Sequence, residues 1–110
     1  MKSLSPSELA QWLSESADSP RPQPRLLDVR EPWEFETCHL PGSQLVPMRE
    51  FAERVQDLEA DRPIVCICHH GARSAQVALF LESRGVPDVF NLSGGLDAWA
   101  VQVDPGFPRY

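Results

Sequence analysis

The segment Ile64-Val65-Cys66-Ile67-Cys68-His69-His70-Gly71-Ala72-Arg73-Ser74 decides the fold. Pro63 introduces an apolar run from Ile64 to Cys68 that shows no alternation, as suits a central parallel strand buried on both faces. A short loop follows. From Ser74 to Arg84 the chain is rich in Ala, Val and Leu and reads as a helix, with Gly85 at the position that takes a left-handed residue.

The same alternation extends in both directions. Downstream, Val89-Phe90-Asn91-Leu92 reads as a strand, Ser93-Gly94-Gly95 as a turn and Leu96 to Val101 as a last short helix carrying Trp99. The tail Asp104 to Tyr110 has no periodicity. Upstream, Ser43 to Val46 is a short strand before an amphipathic helix with Met48, Phe51, Ala52, Val55 and Leu58 on one face. Arg25 to Val29 is the first strand, Glu31 to Phe35 a short helical turn and His39-Leu40-Pro41-Gly42 a tight loop. Before them, Ser5-Pro6-Ser7-Glu8 carries a helix N-cap, a proline at the first helical position and a capping-box glutamate. Leu9, Trp12 and Leu13 continue that helix at helical spacing. It cannot pass Pro20-Arg21-Pro22-Gln23-Pro24, a stiff internal connector rather than a linker, because too few residues precede it to make a domain. Strands alternating with helices predict an α/β fold, a small mostly parallel sheet flanked by helices on both faces.

The chain has 110 residues, 42% of them hydrophobic and 24% charged, with a net charge of −6. Residues 1–110 are therefore expected to form a single domain, long enough to bury about two-thirds of the extended chain's surface without staples. The negative charge and the lack of a basic run argue against nucleic acid or an anionic membrane as partner. No stretch of about 20 apolar residues is present. Three cysteines are too few and of the wrong parity for a disulfide framework. With the polar start after Met1-Lys2-Ser3-Leu4, they suggest a cytoplasmic protein.

In open α/β sheets ligands sit beyond the carboxyl ends of the strands, beside the next helix's N-terminus. Cys68 occupies that junction. Its sulfur is expected at the loop mouth, exposed to the positive end of the helix dipole and to unpaired amide groups. Residues His69, His70, Gly71, Ala72 and Arg73 can curl their N–H groups into an anion nest, with Gly71 supplying backbone freedom and Arg73 positive charge. A thiolate favoured in this way is a nucleophile.

Three segments give the chain a resemblance, over nearly its whole length, to the single-domain rhodaneses, which are sulfurtransferases. Leu26 to Phe35 resembles the family's first-strand motif, and Phe35-Glu36-Thr37-Cys38-His39-Leu40-Pro41-Gly42 its aromatic, His, aliphatic, Pro, Gly signature. Cys68 to Ser74 resembles the active-site loop, and Asn91 to Trp99 the final strand and helix. The resemblance implies a rhodanese-like fold and a Cys68 nucleophile. Cys68 would accept sulfane sulfur as a persulfide and pass it on in a two-step, ping-pong cycle. It further implies a small sulfur-containing anion such as thiosulfate, or a protein persulfide, as donor, a thiol or cyanide as acceptor, and no metal or organic cofactor. Two positions depart from the usual pattern: Ser43 follows Pro41-Gly42 where Ala is common, and His69 and His70 are paired in the loop.

Other readings compete. Cys-based phosphatases use a loop one residue longer between Cys and Arg, wide enough to wrap a phosphate, and no acid for a leaving alkoxide is evident here. Cys66, Cys68, His69, His70, Cys38 and His39 suggest a metal site, but Cys66-Ile67-Cys68 lacks the separated pairs of a structural zinc site. A persulfide carrier docking on one partner would have the same sequence as an enzyme, whereas a pure interaction module would have lost the nucleophile. Asp28, Arg30 and Ser74 are expected to support the loop, Asp28 and Arg30 holding either the loop or each other, with Asp28 a candidate partner of Arg73. His39 is expected to fix its own turn by hydrogen bonding, Cys66, Trp33, Trp99 and Phe35 to pack in the core, and Asp97 to cap or solvate the last helix.

Overall fold

The computed structural model describes residues 1–15, 19–58 and 61–110. Ile64–Ile67 is a strand with every side chain buried, as its unbroken apolar run predicts. Among the described residues the strands are β1 (Lys2–Leu4), β2 (Arg25–Asp28), β3 (Gln44–Leu45), β4 (Ile64–Ile67) and β5 (Val89–Leu92), and the helices α1 (Pro6–Ser14), α2 (Pro32–Thr37), α3 (Phe51–Arg54), α4 (Ala72–Ser83) and α5 (Gly95–Gln102). The strands form one sheet in the order β1-β5-β4-β2-β3. Each pairing is parallel. β4 is central, and the carboxyl ends of β2 and β5 flank its own.

The two faces of β4 feed two cores. Ile64, Cys66 and Cys68 join Leu27, Val29, Phe51, Val77, Ala78 and Leu81 on the α3 and α4 side. Val65 and Ile67 join Leu4, Leu9, Trp12, Leu92, Leu96 and Trp99 on the α1 and α5 side. Side chains two apart share a face, so one strand supplies both layers and requires apolar residues throughout.

Local chemistry sets the helix ends. Ser5 accepts from the Glu8 amide and Glu8 returns the bond to the Ser5 amide, at 3.1 and 2.9 Å. α4 closes in a Schellman arrangement: Val86 N–H bonds Leu81 O, Gly85 N–H bonds Glu82 O, and Gly85 has φ +85°. The proline-rich connector packs back on α1. Trp12 Nε1 donates to Pro22 O at 3.0 Å, and the Arg21 guanidinium lies 3.7 Å from the Trp12 ring centre.

Three elements differ from the sequence reading. β1 was not predicted, because Lys2 and Ser3 are exposed and only Leu4 is buried, so no apolar pattern marks it; its pairing is supplied by the edge of β5. The predicted helix over 48–58 is broken into a 3₁₀ turn (Met48–Glu50), α3 and a second 3₁₀ turn (Val55–Asp57). The tighter pitch brings Met48, Phe51, Val55 and Leu58 to the core and leaves Ala52 exposed. α4 begins at Ala72 rather than Ser74, since the left-handed Gly71 turns the chain directly into the helix.

Candidate active site

Cys68 follows the last residue of β4, and its sulfur lies under the first turn of α4. Gly71 is the N-cap, with φ +98°, so Ser74 is the third helical residue. Three donors converge on Cys68 Sγ: Gly71 N–H at 3.0 Å, Ser74 N–H at 3.4 Å and the Ser74 hydroxyl at 3.2 Å. The sulfur thus takes the place that a capping side-chain oxygen takes at other helix starts, satisfying amides that have no partner within the helix. These are the groups that stabilise negative charge on it.

The loop holds this shape because its carbonyls are tied elsewhere. Leu96 N–H and Asp97 N–H, in the first turn of α5, bond the carbonyls of Cys68 and His69 at 2.9 and 3.0 Å. This close approach requires glycine at position 95: a Cβ there would lie 2.4 Å from His69 O and 2.5 Å from Cys68 O. From β5, Asn91 Nδ2 donates to Gly71 O at 3.2 Å, and Asn91 Oδ1 lies 2.5 Å from the Ser74 hydroxyl. That hydroxyl has one proton and two acceptors within reach, Asn91 Oδ1 and Cys68 Sγ.

Cys68 is 1% exposed, not open at the loop mouth as its position in the sequence suggests. The supporting residues pair differently as well. Asp28 does not meet Arg73; it binds Arg30 through bonds of 2.8 and 2.7 Å, and both side chains are fully buried. Arg30 also donates to the carbonyls of Glu34 and Cys38 and to the Tyr110 hydroxyl. Burial opposes its charge, but the bonds to Asp28 and Tyr110 outweigh that and raise its pKa. Arg73 instead forms a two-point pair with Glu34, at 2.7 and 2.9 Å. The pairing holds the Glu34 carboxyl below the usual range, and raises Arg73. The cause of the mismatch is geometric: Arg30 N–H and side chain both reach Asp28 two residues back, which consumes the carboxylate at the end of β2.

Glu34, Asn91 and Tyr110 are site residues that the sequence reading missed. Glu34 reads as a capping-box residue, and it does accept from Glu31 N–H at 3.0 Å, but the same carboxylate also holds Arg73 and Tyr110. Nothing in the local sequence marks that second duty, which the fold produces by burying Glu34 to 4% exposure beside Arg73 and Tyr110. Asn91, a polar residue in an otherwise apolar strand, carries a readable signal. Tyr110 lies in a tail without periodicity.

The remaining candidates are placed as follows. His69 lies against Tyr110, with ring centres 4.1 Å apart, and burial followed by the neighbouring His70 lowers its pKa. His70 and Ala72 are exposed. Cys66 is in the core on the same face as Cys68, where burial pushes its thiol up to about 12. His39 Nδ1 lies 2.8 Å from Phe35 O, and the two rings stack at 3.9 Å. Trp99 is buried, but Trp33 is 60% exposed and not core. Asp97 pairs with Arg109.

Among the described residues no cluster of three His, Cys, Asp or Glu side chains is arranged for a metal, and no helix is long and apolar enough to cross a membrane. A cavity of about 740 Å³ lined by Lys2, Trp12, Arg21, Arg62 and Phe90 lies at the opposite end of the sheet and shares no residue with the Cys68 loop.

Comparison with known proteins agrees with this fold. The chain is 35% identical over 74 residues to the thiosulfate sulfurtransferase GlpE of Pseudomonas syringae, covering 67% of this chain and 70% of that one. It is 40% identical over 90 residues to the chloroplastic Rhodanese-like/PpiC domain-containing protein 12 of Arabidopsis thaliana, and 37% identical over 109 residues to the probable adenylyltransferase/sulfurtransferase MoeZ of Mycobacterium tuberculosis. It covers 78% and 97% of its own length in these matches, but spans only 30% and 26% of those two proteins. The crystal structure of a rhodanese-like domain protein from Staphylococcus aureus superposes with a TM-score of 0.80 at 31% identity, covering 100% of this chain and 99% of that one. A sequence model of the rhodanese-like domain matches residues 9–102, and the chain belongs to the rhodanese-like domain family.

Proposed function

We propose that the protein is a sulfurtransferase that carries sulfane sulfur on Cys68. The observation that carries this reading is the convergence of Gly71 N–H, Ser74 N–H and the Ser74 hydroxyl on one sulfur at the start of α4. With thiosulfate as donor, the Cys68 thiolate attacks the outer sulfur. The new S–S bond forms as the donor's S–S bond breaks, and sulfite leaves with the electron pair. In the second half, cyanide carbon attacks the outer persulfide sulfur, a C–S bond forms, and the Sγ–S pair returns to Cys68 as thiocyanate departs. The loop from His69 to Arg73 cradles the outer sulfur, and its donors stabilise the charge that develops there.

The arginines around the loop do not offer free charge: Arg30 is taken by Asp28, Arg73 by Glu34 and Arg109 by Asp97. Attraction for a small anion in a chain of net charge −6 therefore rests on backbone dipoles at the α4 N-terminus, with Arg73 as a neutralised neighbour. Asp28 and Arg30 act by holding this geometry, while Ser74 donates to the sulfur itself.

A second reading is transfer to a thiol on a partner protein. It needs the same persulfide on Cys68. Thiosulfate and cyanide turnover by the purified protein separates the two. Rapid thiocyanate production that disappears in Cys68→Ser supports the small-molecule enzyme. Slow production with fast transfer from the Cys68 persulfide to a protein thiol supports the carrier. Full thiocyanate production by Cys68→Ser rules out both.

A further inference from the structure

After α5 the chain turns back across the site. Phe107 packs against the α1 and α5 core, Cys38 Sγ lies 3.6 Å from Pro108 O, and Arg109 binds Asp97 at 2.9 and 3.2 Å. These contacts deliver Tyr110 to the Cys68 loop. Its ring lies on His69 at 4.1 Å between centres and edge-on to the exposed Trp33 at 5.6 Å. Its hydroxyl accepts from Arg30 Nη1 at 2.8 Å and donates to Glu34 Oε2 at 2.7 Å. His69 is the first residue after Cys68, and Glu34 is the carboxylate that holds Arg73 at the far end of the loop. One side chain therefore reaches both ends of the loop, directly at the first and through Glu34 at the last.

Cys68 is 1% exposed, buried in the α3 and α4 core under the loop whose first residue, His69, carries the Tyr110 ring. Yet a sulfur that must pass to an acceptor has to be reached. Resting on the reading of Cys68 as the sulfur carrier, we propose that residues 103–110 form a strap over the sulfur loop and that Tyr110 is its specificity-determining residue. With the strap closed, small reagents reach Cys68; a thiol on a bulky partner reacts only when Tyr110 has swung away.

The closing contacts suit a device that opens. Tyr110 is itself 39% exposed, and the Arg109–Asp97 pair lies at the surface, where ion pairs contribute little. The hydroxyl is a two-sided link, donating to Glu34 while accepting from Arg30. Burial, with Glu34 acting against Arg30, pushes the phenol up to about 12, so it remains a donor through the neutral range. Phenylalanine at this position would keep the ring on His69 and lose both hydrogen bonds.

The test compares alkylation of Cys68 by iodoacetamide, which is small, with alkylation by fluorescein maleimide, which is bulky, in the full chain. Peptide fragmentation in the mass spectrometer, between Cys66 and Cys68, restricts the readout to Cys68. Tyr110→Ala is expected to raise the bulky rate by about tenfold or more while changing the small-reagent rate by less than about threefold, as release of a local gate does. Tyr110→Phe is expected to fall between wild type and Tyr110→Ala in the bulky rate, and it tests the hydrogen bonds even if the alanine variant folds poorly. Equal acceleration of both reagents in Tyr110→Phe would mean general loosening and overturn the proposal, as would no change in either. If the sulfur-carrier reading fails, thiosulfate leaves no persulfide on the wild-type protein, whereas the alkylation ratios still report on the strap.

Discussion

Arg73 and Glu34 face each other as a fork, with Nη1–Oε1 at 2.7 Å and Nη2–Oε2 at 2.9 Å, joining the first turn of α4 to α2. The arginine of the sulfur loop is therefore anchored instead of free. Glu34→Gln keeps the shape and removes the charge that holds it. We expect this variant to lose about tenfold or more in kcat/KM for thiosulfate, since a displaced Arg73 distorts the first turn that presents the donors. A double-mutant cycle with Arg73→Ala is expected to show a coupling of about 1 kcal/mol or more in unfolding free energy. Additive effects would leave the fork without energetic meaning.

The same carboxylate gives a pH signature. Its folded pKa is depressed below the ordinary carboxylate value, first by the Arg73 hydrogen bond. The stability it contributes is fully present above about pH 4.5 and is lost as pH falls through the lower folded value. Thermal unfolding of Glu34→Gln followed between pH 7 and pH 3, roughly the range over which carboxylates titrate, is expected to show a shallower acid limb than wild type. Parallel limbs would contradict the assignment.

Asp28 and Arg30 are both fully buried and bound in two places. Asp28→Ala strands a guanidinium among the strand ends, and breaking one half of such a pair costs about 3–5 kcal/mol. Urea unfolding is expected to show a loss in that range. A loss below about 1 kcal/mol would mean that Glu34 O, Cys38 O and Tyr110 suffice to hold Arg30.

Ser74 supplies two of the three donors to Cys68 Sγ, one from its backbone and one from its hydroxyl. Ser74→Ala deletes only the hydroxyl. A lost hydrogen bond to a charged group is worth about 1.5–3 kcal/mol, and so slows persulfide formation by about 10- to 100-fold if the hydroxyl turns to the sulfur in the reacting state. Single-turnover rates with thiosulfate measure this. An unchanged rate would show that the Ser74 hydroxyl keeps donating to Asn91 Oδ1, the acceptor at 2.5 Å.

The parts of the fold that a local pattern determines were legible in the sequence. The Ile64 to Cys68 run, the Ser5 capping box and Gly85 each express one local requirement, and the structure meets each of them. Cys68 was singled out because a strand-to-helix junction is visible in the chain. The rest depends on partners distant in sequence. β1 exists because β5 offers an edge, each paired residue lying 88 positions along the chain. Glu34 and Arg73 are 39 residues apart, and Tyr110 and Arg30 are 80 apart. Two arginines compete for Asp28 in the sequence, and only the fold shows that Arg30 takes it and leaves Arg73 to Glu34. The burial of Cys68 also follows from long-range packing, which the loop sequence does not encode.

The central claim is that sulfur resides on Cys68. Incubating the protein with thiosulfate, removing excess donor and mapping its peptides by mass spectrometry tests it without any acceptor. A gain of about 32 Da, one sulfur atom, placed on Cys68 by fragment ions that separate it from Cys66, reversed by cyanide and missing in Cys68→Ser, is the result predicted. Sulfur found on Cys38 or Cys66 instead, or no added mass on a folded protein, would contradict it.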